Sequence, residues 1–465
     1  MLNRFMKLFT GQDNATARNQ SSAPNSEFAQ LNQIAPVATP DSEHNNSTSD
    51  PMHSVVCREA ILNKDQRVAG YTFMLRRTIN QRVRVSSSIV QRLYDEVLLR
   101  NILSMNIQRL LGHRLAFIPI LPSSLEYASR DHDLLKQMPG TGTVFVISAS
   151  EQLPDNSEAM QASIQDLKKS GYLFGLQGDM GIPGMQPFLE LAEYIFIDIA
   201  SSDIPAMNAQ IASISKQVFD KQLVATNIQT LEEFHVCAKL PFSYFQGPFV
   251  TNKEQWTSSR MDTGRIKILD LLNRIRRDAE TAELIPLFKQ DPALSFKLMR
   301  YINSAGAGLT SKVSSIDQAL IVLGRQKLYR WLTLLLFTSS AGDELEWALM
   351  ENALVRARLA ELLAQDTLPS NARDELFVAG IFSLLDILLH IPMEQVLVQV
   401  SLPPLVTQAL LHQQGEFAPY LALAIACEEF DQERIAILAR PFNLSVAQVN
   451  AIHADALIWA QQVDE

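Results

Sequence analysis

A chain of 465 residues with 47% hydrophobic and 19% charged side chains is long enough for about two or three domains with buried cores. Its formal net charge of −10 and pI near 5.4 argue against a general nucleic-acid binder, whose affinity rests on neutralising phosphates. No run approaches the ~18 apolar residues of a transmembrane helix. The three cysteines, Cys57, Cys237 and Cys427, lack metal-ligand spacing and read as reduced thiols of a cytoplasmic protein.

Residues 1–53 turn rich in Asn, Ser, Gln, Ala, Thr and Pro after Gly11, with too few large apolar side chains to offset the entropy of ordering. A disordered tail is expected there. Its first ten residues, MLNRFMKLFT, set Arg4 and Lys7 among Leu2, Phe5, Met6, Leu8 and Phe9. That pattern suits a frayed terminus or a short basic anchor, and its charges interrupt the apolar core a signal peptide needs.

From Val55 to about Lys253, short apolar stretches alternate with helical ones. Expected strands are Val55–Ala60, Arg67–Leu75, Arg114–Ile120, Thr143–Ile147, Leu173–Leu176, Tyr194–Ile199, Gln222–Thr226 and Phe242–Gln246. Such alternation predicts an α/β domain over 54–255, a mainly parallel sheet closed into a (β/α) TIM-type barrel. Residues 256–280 follow as a linker helix. Arg265, Lys267, Arg274, Arg276 and Arg277 make it basic, and Ile266, Leu269, Leu272 and Ile275 give it an apolar stripe. A packed linker suits that stripe better than a nucleic-acid contact.

Residues 281–465 read as all-α. Asp291 suits an N-cap and Pro292 a first helical position, with Ala293, Leu294, Lys297, Leu298 and Tyr301 at helical spacing behind them. Asn303-Ser304 and the glycines beyond stop that helix. Ser314 or Ser315 starts a second, with Ile316, Ala319, Leu320 and Leu323 on one side and Gly324 past its end. Gln326–Ser339 gives a third that is apolar almost all round, as a helix at the centre of a bundle would be.

These last residues resemble the HDOD domain, an all-helical relative of the HD phosphohydrolases. Asp291-Pro292-Ala293-Leu294-Ser295, Asn303-Ser304, Ser314-Ser315-Ile316, Ala319 and Leu323-Gly324 carry the resemblance. VRARLAELLA from Val355 and FVAGIFSLLDILLHIPMEQVL from Phe377 extend it. The barrel half resembles the EAL domain, a cyclic di-GMP phosphodiesterase, through Arg58-Glu59-Ala60-Ile61, Gly70-Tyr71, FLELAEYIFID from Phe188, ATNIQTLEEF from Ala225 and Tyr244-Phe245-Gln246-Gly247. An EAL-like half followed by HDOD is a known two-domain arrangement.

The EAL resemblance implies two metal ions held by carboxylates and an amide, and the sequence departs from it at nearly every ligand. Thr72 stands for the signature glutamate, Pro119 for the asparagine, and no acid occurs between Thr143 and Ser150. Gln177-Gly178 stand for the Asp-Asp pair, and a one-residue shift recovers only Asp179. Phe196 replaces the lysine and Gln229 the late glutamate. Arg76 and Gln246 are kept.

In the HDOD half, His390, His412 and His453 are not followed by aspartate, and Asp386 reads as a helix-packing carboxylate. His132-Asp133 reads as a solvated helix start. The expectation is therefore a protein with no catalytic, metal or cofactor-binding residues. It would act as a signalling scaffold contacting a sensor kinase, response regulator or cyclic di-GMP enzyme, linked to motility, biofilm or gene regulation. Glu59 stands where active relatives carry a glutamine near the base, and cyclic di-GMP itself is not expected to bind. The alternatives are a cyclic di-GMP receptor and a cryptic metal-dependent phosphodiesterase. A homodimer follows only by analogy with active EAL barrels.

Overall fold

The first strand, β1 (Val56–Asn63), turns back at Lys64–Arg67 into β2 (Val68–Leu75), and this hairpin seeds the first domain. The structure, a computed structural model, describes residues 56–75, 88–105, 107–121, 124, 137–148, 157–178, 186–201, 211, 220–252, 263–303, 313–338, 345–429 and 432–464. The expected tail, Arg76, His132-Asp133, Asp179 and Ser304 lie outside the described residues.

Six further strands, β3 (Leu115–Ile120), β4 (Thr143–Ser148), β5 (Leu173–Gln177), β6 (Tyr194–Asp198), β7 (Gln222–Thr226) and β8 (Tyr244–Gln246), complete a closed barrel in chain order. β1 runs antiparallel to both its neighbours, β2 and β8, while β2 to β8 are mutually parallel. The first strand extends beyond the expected Ala60 because Ile61, Leu62 and Asn63 pair with Gln246, Phe245 and Tyr244. That partner lies far along the chain, and local patterning cannot show it. Helices α1 (Ser88–Ser104), α2 (Ile107–Leu111), α3 (Ser157–Lys169), α4 (Gln186–Leu191) and α5 (Leu231–Ala238) connect the strands.

Side chains at alternate strand positions face the barrel interior. Ile61, Phe117, Val144, Val146, Tyr194, Phe196 and Val224 form that inner cluster, separate from the main core.

The second domain is helical: α6 (Thr263–Arg276), α7 (Thr281–Lys289), α8 (Pro292–Ile302), α9 (Ile316–Leu335), α10 (Leu345–Leu363), α11 (Ser370–Phe382), α12 (Leu385–Leu389), α13 (Met393–Gln399), α14 (Pro404–His412), α15 (Ala418–Glu429), α16 (Gln432–Ala439) and α17 (Val446–Asp464). The helix expected as a linker, α6, packs on α9, and its Asn273 side chain bonds Gln399 O and Ser401 N at 2.7 Å each. Asp291 caps α8 by accepting from Leu294 N at 3.0 Å, and Ser315, rather than Ser314, caps α9.

Gly324 breaks α9 with φ 72° and ψ 166°, a region open essentially to glycine alone. Beyond it Leu328 and residues 330–337 are buried, as an apolar central helix requires. Trp331 there stacks between Phe288 and Tyr301. Arg330, the charged exception, is paired with Glu361 and Asp374 and lies over the Phe377 ring.

Candidate functional site

The C-terminal ends of the parallel strands, where barrel enzymes carry their chemistry, present little that holds a cation. Thr72 on β2 is buried, and its Oγ1 has no hydrogen-bond partner among the described residues. Pro119 is half-buried within β3 opposite Val146. Gln177 ends β5 opposite Phe196, and Gly178 follows it, exposed.

Phe196 itself is buried inside the barrel, its ring 5.7 Å from that of Phe117 in an edge-on contact. Gly175 makes room for that ring: a Cβ there would come within 2.9 Å of Phe196 Cε2. Gln229 lies exposed after β7 and donates to Asn227 O at 3.2 Å. Gln246 ends β8 and donates to Glu59 Oε2 at 2.6 Å. Asp198 accepts from Asn227 Nδ2 at 2.8 Å.

Two-metal hydrolysis requires clustered carboxylates around two hard cations about 4 Å apart. Among the described residues no group of three or more His, Cys, Asp or Glu could hold a metal ion. An orphaned threonine hydroxyl and a phenylalanine ring do not fit that role, and Glu59 and Asp198 are each engaged with an amide. Arg76 lies outside the described residues.

At the HD-like passage of the helical domain a positive charge is already built in. Arg356 of α10 is buried, donates to Ser383 Oγ at 2.8 Å and forms a two-pronged pair with Glu428 at 2.8 and 2.6 Å. Burial alone would lower the Arg356 guanidinium, but Glu428, with Asp386 behind it, holds it above its ordinary value. Asp386 is buried and accepts from the Ile387 amide at 3.0 Å. His390 is the left-handed C-cap of α12. The HDOD-like residues Asp291, Asn303, Ser315 and Gly324 are architectural. Asn303 imitates a backbone unit, accepting from Val313 N and donating to Val313 O at 2.8 Å each.

The structure adds a polar contact between the two domains. Tyr71, on the outer face of β2, donates to Glu351 of α10. Arg114 donates to both carboxylate oxygens of Glu351, at 2.6 and 2.9 Å, and to the Tyr71 hydroxyl at 2.9 Å. Arg67 lies over the Trp347 ring. Beside this contact the domains line a partly open cavity of about 240 Å³ whose walls include Arg58, Glu59, Arg356, Glu428, Glu429 and His453. Sequence reading missed this cluster. Its members come from β1, α10, α15 and α17, and no local motif joins them.

A closed barrel with a reversed first strand, docked on a helical domain through the buried Arg114–Glu351 pair, makes this a two-domain protein, one half an α/β barrel and the other all-α. The HDOD domain family model matches residues 265–401. The chain is 24% identical over 419 residues to the cyclic di-GMP phosphodiesterase CdgJ of Vibrio cholerae, covering 89% of this chain and 94% of that protein. It is also 24% identical over 418 residues to the uncharacterized protein YuxH of Bacillus subtilis, covering 89% and 99%. Solved structures with a similar fold include the EAL enzyme Bd1971 with cAMP and cyclic di-GMP bound (TM-score 0.38, 16% identity, 48% of this chain and 64% of that one). An EAL domain protein from Listeria monocytogenes is another (TM-score 0.33, 11% identity, 43% and 88%). Among the described residues no single helix is long and apolar enough to cross a membrane, and a bent pair at the C-terminal end passes that test only together.

Proposed function

We propose that this protein is a non-catalytic scaffold of cyclic di-GMP or two-component signalling that works through protein contacts. The observation that carries the reading is the barrel interior, where Thr72 is buried and Phe196 belongs to an apolar cluster, at positions where the EAL resemblance would put a metal-binding glutamate and a lysine. An apolar bore raises the cost of bringing in bare divalent charge instead of lowering it. The helical domain supplies a surface suited to partners: Ile321 and Val322 on α9 are adjacent and 72% and 43% exposed, and Phe296 on α8 is 64% exposed. A sensor kinase, a response regulator or a cyclic di-GMP enzyme is the class of partner this reading assigns.

The test is turnover of cyclic di-GMP by the full chain with manganese or magnesium, with product followed by chromatography. No linear dinucleotide above the no-protein control is the expected result, and accumulation of it would overturn the reading. The name of the Vibrio cholerae relative, and Gln246 retained beside Glu59, favour a second reading in which cyclic di-GMP is still bound. Isothermal titration with the dinucleotide separates the two, since a scaffold gives no saturable heat.

A further inference from the structure

The interdomain cavity has polar groups left over. Arg58 Nη1, on the barrel wall, is shielded from solvent and finds no hydrogen-bond acceptor among the described residues. His453, on the helical wall, is only 9% exposed, and its Nε2 is likewise without a partner. The other charged groups of the wall are engaged: Glu59 with Gln246, Arg356 with Glu428, Glu429 with Arg434. Glu59 points to the opposite face of β1 from Arg58, because neighbours on a strand alternate. Arg58 shares its face with Tyr71, whose ring centroid is 4.9 Å from the guanidinium carbon. Burial pushes the Arg58 guanidinium down against the pull of Tyr71, Glu351 and Glu428, and its Nη1 is still left without an acceptor, which an anion between it and His453 would supply.

We propose that this cavity binds a small phosphate-type anion, inorganic phosphate or a short phosphate monoester, held by Arg58 of the barrel and His453 of the helical domain. The guanidinium fork matches tetrahedral oxyanions, and the imidazole adds an N–H donor from the opposite wall. A cavity of about 240 Å³ has room for roughly eight waters. That admits a phosphate with a short organic tail. Because the two anchors belong to different domains, occupancy ties the domains together. The proposal does not depend on whether the barrel is catalytic.

The test uses the full chain in isothermal titration and thermal unfolding, with inorganic phosphate, glycerol 3-phosphate, and sodium chloride at matched ionic strength. Saturable phosphate binding and a rising melting temperature are expected, with affinity at least tenfold weaker in Arg58→Gln and in His453→Gln. If Arg58→Gln fails to fold, His453→Gln decides alone. Tighter binding of the monoester supports a site that also holds an organic tail, and equal binding supports inorganic phosphate as the occupant. No heat with either probe, the same shift with chloride, or unchanged affinity in both variants would overturn the proposal.

Discussion

Asp95 on α1 illustrates how far a single side chain can be pushed by its surroundings. It is buried, and its Oδ2 accepts from Leu121 N at 2.8 Å and from Ser124 Oγ at 2.5 Å. Burial raises the carboxyl to about 7 against those two bonds, which act to lower it. A carboxyl whose folded value exceeds its unfolded one costs nothing below about pH 4 and progressively destabilises the fold as pH rises towards 7. Asp95→Asn should therefore be more stable than the parent at pH 8, by an amount on the order of a few kcal/mol, with the gap closing near pH 4. Urea melts across that range would show it, and a gap independent of pH would refute it. At this scale the strand positions of Thr72, Pro119 and Phe196 were legible in the sequence, because a local pattern locates the strands that carry them. Arg58 and His453 were not legible as a pair. Nothing in the chain near either residue announces the other, and only the docking of the barrel on the helical domain brings them to the lining of one cavity.

The helical domain shows how elements are punctuated. Gly324 ends one helical segment and begins the next in a single residue, and a Cβ there would meet nothing within 4 Å. Its conformation, not crowding, selects glycine. Gly324→Ala should cost about 1–3 kcal/mol and lower the melting temperature while leaving far-UV circular dichroism nearly unchanged. A neutral substitution would mean the break can relax into continuous helix. This boundary was readable in advance, as were the cap at Asp291 and, to within one residue, the cap at Ser314 or Ser315, because caps and breaks are written in neighbouring residues. The full length of β1 was hidden, since its last three residues owe their strand geometry to β8.

For the molecule as a whole, the contact of Tyr71, Arg114 and Glu351 sets the relation of the domains. Arg114 and Glu351 side chains are only 4% and 10% exposed, so removing one partner strands the other away from water. Glu351→Ala should destabilise the protein by about 3–5 kcal/mol. Limited proteolysis should then release a barrel fragment at protease concentrations that leave the parent intact, and an unchanged digestion pattern would refute a role in docking. The hairpin that seals the barrel seam is also the surface on which α10 rests. One strand pair thus belongs to both halves. Expressing the barrel by itself would lay bare Arg58, Tyr71 and Arg114 on a face built for company, and the helical half alone would be left with an unanswered glutamate. Trading one module for a foreign one therefore has to replace the seam residues as well.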